Sequence, residues 1–493
     1  MSADITYLEL SDDRSTAHKF YEVTVEGNDL RIRYGRIGDR GQTQAKTYPS
    51  PEKAQAEAAK KIREKLKKGY EPAVPGVRQR RSITRRSTTS TASTVRQRSP
   101  LLWQFKSKSA AFGIFVDQDS CWMGNQGGQV FKLDHQGQVL NQYQLPEGVK
   151  CLVGDDRWIY AGCDDGNVYD LTGKLPRLAY TIDESVDILW LDIWDGLMGV
   201  SDASGGLTKI NPEGEVDWTR LSSGTTGWMV RVDAQGFYHG HGAGVTLYDR
   251  DEGRQLWHQP TAGAVLFGWQ EADRVYAGAS NGSMPVRPTR QFYTLTKADG
   301  SEQNRASCDA AVFSCATDPG GTRLFAGDGS SSLYCFDVQG QRLWKLATGC
   351  GSALSMQFWT DGSGDDRLYI VTSDGTVAAV DVSSAAITAA QEGQVSTPKT
   401  IALSPDAPAP ALPSTALETT QDASQGVLVE CFQEGSQLRI RVVSPGYHAD
   451  WKVQFPRDIR EAGARYVVQE VKEALQGGFY RAYGDIRRLE TDT

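Results

Sequence analysis

The chain has 493 residues, too many for one compact core and about the length of three domains. Hydrophobic residues make up 39%, charged residues 23%, and glycine is abundant at 51, a balance that fits many short strands and tight turns and excludes a helical bundle. The formal charge of −8 conceals a polarity along the chain: residues 1–108 carry roughly +11 and the rest roughly −19, so the two ends suit different partners.

No apolar run approaches the roughly 20 residues of a membrane span, and Met1 to Phe20 contains acids and no apolar export segment. The eight cysteines are dispersed without a Cys-x-x-Cys pair, which argues against a disulfide framework or a zinc module. A reducing cytoplasm is the expected compartment.

In chain order, alternating runs at Ile5–Leu10, Lys19–Glu26 and Asp29–Tyr34 predict strands, with Gly27-Asn28 as the hairpin turn. After Pro51, Ala54, Ala58, Ile62 and Leu66 recur at helical spacing, Lys60, Lys61, Lys65, Lys67 and Lys68 take the other faces, and Gly69 stops the helix. The pieces Tyr34-Gly35-Arg36-Ile37-Gly38, Gly41-Gln42, Lys46-Thr47-Tyr48, the Ala-rich helix and Lys68-Gly69-Tyr70 stand in an order that resembles the WGR domain, and residues 1–76 are assigned to it.

In the nuclear poly(ADP-ribose) polymerases such domains bind DNA ends; the family also occurs in bacterial proteins. The resemblance implies that Tyr34 takes the place of the family's Trp, which stacks on an exposed sugar or base, and that Arg36 takes the Arg that meets the DNA backbone. A ring supplies a stacking face and guanidinium pairs bidentately with phosphate. Tyr for Trp narrows that face. The competing reading has Tyr34 and Arg36 bracing the sheet against the helix. No ADP-ribosyl transferase segment follows, so polymerase activity is not implied.

Residues 77–100 form a basic Arg/Ser/Thr-rich linker. From Val77 to Lys108 no acid offsets Arg80, Arg81, Arg85, Arg86 and their basic neighbours, a run suited to releasing counterions from nucleic acid. With Tyr34, Arg36, Lys61 and Lys65 these four arginines complete the candidate nucleic-acid site. The alternatives are a solvated, self-repelling linker and a tether lying on the chain's own acidic half. Arg80-Arg81-Ser82 and Arg85-Arg86-Ser87-Thr88 would lose charge on phosphorylation.

Residues 101–395 repeat one pattern seven times, from Cys121-Trp122-Met123-Gly124 through Ile159-Tyr160-Ala161-Gly162 to Leu368-Tyr369-Ile370-Val371. A period of roughly 38–49 residues predicts one four-stranded sheet per copy and a seven-bladed β-propeller. Leu101-Leu102-Trp103 copies the outer-strand pieces Gln255-Leu256-Trp257 and Arg342-Leu343-Trp344 yet precedes the first repeat, so it is expected to complete the last blade. The texture resembles quinoprotein-like (pyrroloquinoline-quinone-type) repeats, found also in cofactor-free scaffolds. Neither vicinal cysteines nor an export leader accompanies them, and no cofactor or metal is expected. Asp155-Asp156, Asp164-Asp165 and Asp365-Asp366 are read as turn caps ahead of cation ligands, and His239 with His241 as packed side chains ahead of a two-ligand site.

Residues 396–424 are a Pro/Ala-rich linker, expected as an extended spacer. Residues 425–493 form a small α+β domain: a hairpin of Val427–Phe432 and Leu438–Val443, a strand Trp451–Phe455, and Ala464–Leu475 as a helix or, over Tyr466–Val471, a strand. Arg457, Arg460, Arg465, Arg481, Arg487 and Arg488 are a candidate anion-binding face.

The fold class is therefore mainly β and multidomain. The expected function is a non-enzymatic adaptor: residues 1–108 bind nucleic acid, DNA ahead of RNA, while the acidic propeller binds a protein and no membrane is involved. The alternatives are a scaffold for proteins alone, with the first domain as a docking or regulatory module, and a quinone-dependent enzyme.

Overall fold

The alternation read in the first strands places Tyr21, Val23 and Val25 opposite Tyr34, Ile32 and Leu30 on one sheet face, and that face needs a cover. The computed structural model describes residues 4–11, 18–36, 42–68, 70–72, 91–155, 158–224, 226–280, 290–403, 410–413, 419–420, 423–435, 437–457, 459–474 and 478–490. Two compact units divide the chain, residues 1–85 and residues 86–493.

In the first unit β1 (Asp4–Ser11), β2 (His18–Glu26), β3 (Asp29–Arg36), β4 (Gln42–Thr47) and β5 (Glu71–Pro72) form one sheet in the order β4-β3-β2-β1-β5. Helix α1 (Pro51–Leu66) supplies the cover. Ser50 caps it by accepting the Lys53 N–H, Pro51 pre-sets the first turn, and Ala54 and Ala58 are small enough to let the helix approach the buried Val23, Val25 and Ile32.

The second unit contains seven blade sheets, six of them four-stranded and antiparallel and the seventh extended by a fifth strand, whose inner strands pack in a closed ring. Blade 1 runs from the inner strand Ala111–Val116 to the outer strand Val139–Gln144, blade 2 from Val149–Asp155 to Arg177–Thr181, and blade 3 from Ile188–Trp194 to Val216–Leu221. Blade 4 runs from Met229–Val232 to Gln255–Pro260, blade 5 from Ala264–Glu271 to Glu302–Ser307, and blade 6 from Val312–Thr317 to Arg342–Ala347. Blade 7 begins at Ala353–Thr360, and its outer strand is Leu101–Lys106, paired with Thr376–Asp381. The ring is thus fastened by joining the two ends of its own sequence. All eight cysteines are free.

Tryptophan and glycine tie neighbouring blades. Trp103 Nε1 donates to the His135 carbonyl at 2.9 Å, Trp257 Nε1 to the Lys297 carbonyl at 2.9 Å, and Trp218 Nε1 to the Arg250 carbonyl at 3.4 Å. Each indole lies under a glycine of the next blade's turn, Gly137, Gly300 and Gly253 respectively, all at positive φ. A Cβ on Gly300 would stand 2.6 Å from the Trp257 ring, so Gly300→Ala combines backbone strain with a clash and is expected to cost about 2 kcal/mol in thermal unfolding. Gly362→Ala, also at positive φ but facing open space, isolates the strain and should cost about half as much. Where blade 7 lacks this turn, helix α2 (Ser384–Gln391) sets Ile387 and Ala390 against Leu346 and Trp344.

Both linkers are partly docked. Thr91 N–H donates to Gly329 O at 3.0 Å and Arg98 bridges Ala347 along blade 6. Lys399–Ile401 adds a parallel fifth strand to blade 7, and Ala411 bridges Tyr143 on blade 1. Extended backbone thus acts as a strap where a free spacer was expected.

The C-terminal segment departs from the α+β expectation. Val427–Glu434, Gln437–Val442, Lys452–Gln454, Arg465–Glu473 and Phe479–Leu489 pair in a cycle that closes the sheet on itself, with Thr419–Thr420 alongside, and no helix occurs there among the described residues. The stretch Ala464–Leu475 satisfies helical and strand spacing alike, but its paired valines at 467 and 468 favour a strand with partners on both edges, which it has.

Candidate functional site

In the first unit the structure brings Tyr34 and Lys65 to one aromatic cluster. The Tyr34 ring lies 6.3 Å from Tyr21, and Tyr21 meets Tyr70 edge-on at 6.3 Å. Lys65 Nζ stands 4.3 Å from the Tyr21 ring centre and 5.0 Å from that of Tyr70. The half-buried Tyr34 accepts at its hydroxyl from Gln44 Nε2 at 3.1 Å. These two residues therefore already have intramolecular roles, bracing helix against sheet. Burial raises the Tyr21 and Tyr70 hydroxyl pKa values, with Glu64 adding to the effect at Tyr21, so both rings stay neutral.

Lys61 is more open, 43% exposed in its side chain, and its carboxylate neighbour Glu64 stands at 4.0 Å. Lys60, Lys67 and Lys68 are exposed beside it. With Arg63 they make the second half of α1 and the two residues after it a cationic surface whose one described acid is Glu64, at the helix end that the backbone dipole makes favourable to cations. Arg36 occupies the last position of β3, in register with Lys19. Arg80, Arg81, Arg85 and Arg86 lie outside the described residues.

Sequence reasoning missed the other sheet face. Phe20 stacks with Tyr7 at 5.8 Å, and Arg33 lies 5.0 Å over Phe20 while holding Glu22 through two bonds of 3.1 and 2.8 Å. The period-two register carried that signal, because Tyr7, Glu22 and Arg33 fall opposite one another.

In the second unit the inner strands of all seven blades enclose a cavity of about 300 Å³. Arg231 crosses it from blade 4: Nε and Nη2 donate to the Gly268 carbonyl of blade 5 at 3.1 and 3.0 Å, and Nη1 reaches Asp192 of blade 3 at 3.5 Å. The guanidinium lies 5.4 Å from Trp190 and 4.4 Å from Trp269. Burial pushes the Asp192 carboxyl up to about 6, against the pull of Arg231 and of the Val232 N–H. With its cation and acid spent on each other, this constellation ties three blades together.

His241 accepts the Ala243 N–H at Nδ1, 3.2 Å, which leaves Nε2 to donate to Thr246 Oγ1 at 2.9 Å; that hydroxyl lies 2.8 Å from His258 Nδ1. His239 is fully buried, and neither ring nitrogen meets a partner among the described residues. Among those residues no group of three or more His, Cys, Asp or Glu is placed to hold a metal. Asp165 caps the Asn167 N–H and accepts from Tyr169, Asp365 pairs with Arg367, and Asp366 with Arg323. Seven of the eight thiols are buried, and burial raises the pKa of each.

Five of the six candidate arginines of the C-terminal barrel pair with carboxylates of the chain itself. Arg481 is buried against Asp155 at 2.7 Å and Asp195 at 3.3 Å, Arg460 holds Glu215 at 3.0 Å, Arg457 also pairs with Glu215, and Arg465 and Arg488 pair with Glu430 and Glu461. Most of their charge is spent within the molecule.

Residues 5–77 match the WGR domain family, and residues 241–402 match the family described as outer membrane protein assembly factor BamB. Protein YehF of Escherichia coli (strain K12) is 42% identical over 59 residues, 12% of this chain and 21% of that protein. The uncharacterized protein YfeS of the same organism is 38% identical over 60 residues, 12% of this chain and 24% of that protein. The chain thus spans about a quarter or less of these relatives. The WD40 β-propeller domain of Doa1 superposes with a TM-score of 0.50 at 11% identity, covering 58% of this chain and 98% of that domain, a likeness of fold alone. No helix among the described residues is long and apolar enough to cross a membrane.

Proposed function

We propose that this chain, with its WGR domain and its seven-bladed propeller of quinoprotein-like repeats, is a non-enzymatic cytoplasmic adaptor. Residues 1–108 take up nucleic acid, DNA ahead of RNA, and the acidic propeller takes up a protein. The observation that carries the reading is the cationic run of residues 59–68, the second half of α1 and the two residues after it, where Glu64 is the one acid beside Lys60, Lys61, Arg63, Lys67 and Lys68. Residues 109–420, at roughly −18, repel phosphate and favour a neutral or basic protein. Eight free thiols suit a reducing compartment.

The test is an anisotropy titration of the full chain against labelled duplex ends, nicked duplex and single strands. Saturable binding at low salt is expected, with log affinity falling linearly in log salt. Arg36→Ala should weaken it about tenfold, and Lys60→Glu with Lys61→Glu should flatten the salt slope by about two counterions. Absence of binding in 20 mM salt removes the nucleic-acid half. One observation favours a second reading, the WGR domain as a protein-docking module: the Tyr34 hydroxyl and Lys65 are already engaged. Nucleic-acid binding indifferent to all three substitutions would favour that reading.

A further inference from the structure

An outer strand leaves a row of backbone donors and acceptors open to any passing strand, and folded proteins cover or charge such edges. Three of the seven blades are covered by extended segments of the chain itself: Lys399–Ile401 lies on Leu101–Lys106 of blade 7, Ala411 on Val139–Gln144 of blade 1, and Arg98 on Arg342–Ala347 of blade 6. On blade 2, Arg177–Thr181 lies against the C-terminal barrel, with Arg177 Nη2 donating to Ile486 O at 3.1 Å. Blade 6 also carries Arg342 and Lys345. Blades 3 and 5 have no added strand among the described residues, and their outer strands carry Asp217 and Arg220, and Glu302 and Arg305.

Blade 4 follows neither rule. Its outer strand reads Gln-Leu-Trp-His-Gln-Pro, without an acid, Lys or Arg, and no described segment pairs with its free edge. Leu256 is 56% exposed on it.

We propose that the outer strand of blade 4, Gln255–Pro260, is the protein-docking edge of the propeller and receives an extended segment of a partner protein, similar to the Lys399–Ile401 strap, as a parallel fifth strand. This rests on the reading that the propeller binds a protein, and it names where. Blade 7 supplies the template: Lys399, Thr400 and Ile401 fall opposite Trp103, Gln104 and Phe105. Trp257 holds in blade 4 the place of Trp103, since both indoles donate to a turn carbonyl of the next blade. The incoming residues therefore fall opposite Trp257, His258 and Gln259. Pro260, without an N–H, ends the ladder and limits the segment to three or four residues. Main-chain bonds provide the affinity, and the side chain beside Leu256 the selectivity.

The probe is a fluorescein-labelled peptide of residues 396–403, the chain's own blade 7 strap, titrated into the full chain. Saturable binding is expected, with slowed amide deuterium exchange confined to residues 255–260. Leu256→Lys, which gives the edge the charge that other blades carry, should weaken binding at least tenfold, and Leu343→Lys, at an equally open position on blade 6, should leave it unchanged. Four results would overturn the proposal: no binding, equal binding to Leu256→Lys, protection at residues 101–106 in place of 255–260, or self-association of the chain that Leu256→Lys abolishes. Failure here with nucleic-acid binding intact removes only this edge; peptide uptake by a chain that ignores nucleic acid removes the other half of the adaptor reading.

Discussion

Arg481→Met is expected to destabilise the second unit by about 3–5 kcal/mol, the usual result of removing one partner from a buried ion pair. The side chain is 1% exposed and lies between Asp155, which ends the inner strand of blade 2, and Asp195, in the turn after the inner strand of blade 3. Without it both carboxylates stay in a low-dielectric seam with no cation. Burial already raises the Asp155 pKa, and Arg481 is the main force holding it down. The variant's Asp155 pKa therefore rises further. An acid whose pKa is higher folded than unfolded binds more protons folded, so stability falls as pH rises through that window. The deficit should accordingly be smaller at pH 5 than at pH 7.5. Thermal unfolding at the two pH values measures this, and limited proteolysis within residues 425–493 shows whether the barrel loosens first. Adding Asp155→Asn and Asp195→Asn should recover most of the loss, because neutral amides leave no unpaired charge. A deficit below 1 kcal/mol at pH 7.5 would mean that the seam is wet.

The ion pair also marks the limit of what sequence reveals. Asp155 and Arg481 are 326 residues apart, and no local pattern joins them. Arg481 was legible only as a basic residue, so a face of arginines seemed available to anions when most of it was already spent. Lys65 misleads in the same way: helical spacing puts it on a polar face, but the ring of Tyr70, just beyond the helix, draws it inward. The ring itself was legible because its signal is repeated. Leu101-Leu102-Trp103 could be assigned to blade 7 since two other outer strands carry the same Leu-Trp pair, and a strand without its own blade needs a place in one that lacks its fourth. Three residues such as Lys399–Ile401 give too short a period to be told from coil, and only the edge they meet makes them a strand. The Ala464–Leu475 ambiguity has a related cause: apolar residues three and four apart fit a helix until a neighbouring strand claims every second one.

Acid should unfold the propeller earlier than its carboxylates require, and blade 4 is the reason. Burial lowers the pKa of His239 to about 3 and that of His241 to about 4, with each adjacent imidazole adding to the effect, and lowers His258 as well. A histidine whose pKa is lower folded than unfolded takes up its proton first in the unfolded chain. Stability is therefore unaffected above about pH 6.5 and falls as pH drops from there toward the folded value. At about 1.4 kcal/mol per pH unit and proton, His239 and His241 would each remove about 3 kcal/mol by pH 4. His239→Leu keeps a similar volume, abolishes the titration and replaces two ring nitrogens that meet no partner among the described residues. Its denaturation midpoint should match or exceed the parent's at pH 8 and exceed it increasingly from pH 6 to pH 4. His241→Leu makes the control, because it too loses a titration but breaks the bonds to Ala243 and Thr246, so it should be less stable at pH 8 and cross the parent only on acidification. Parallel pH profiles for parent and His239→Leu would show that His239 is protonated in the folded ring, and the seam between blades 3 and 4, where Gly227 faces that imidazole, would then have to admit water.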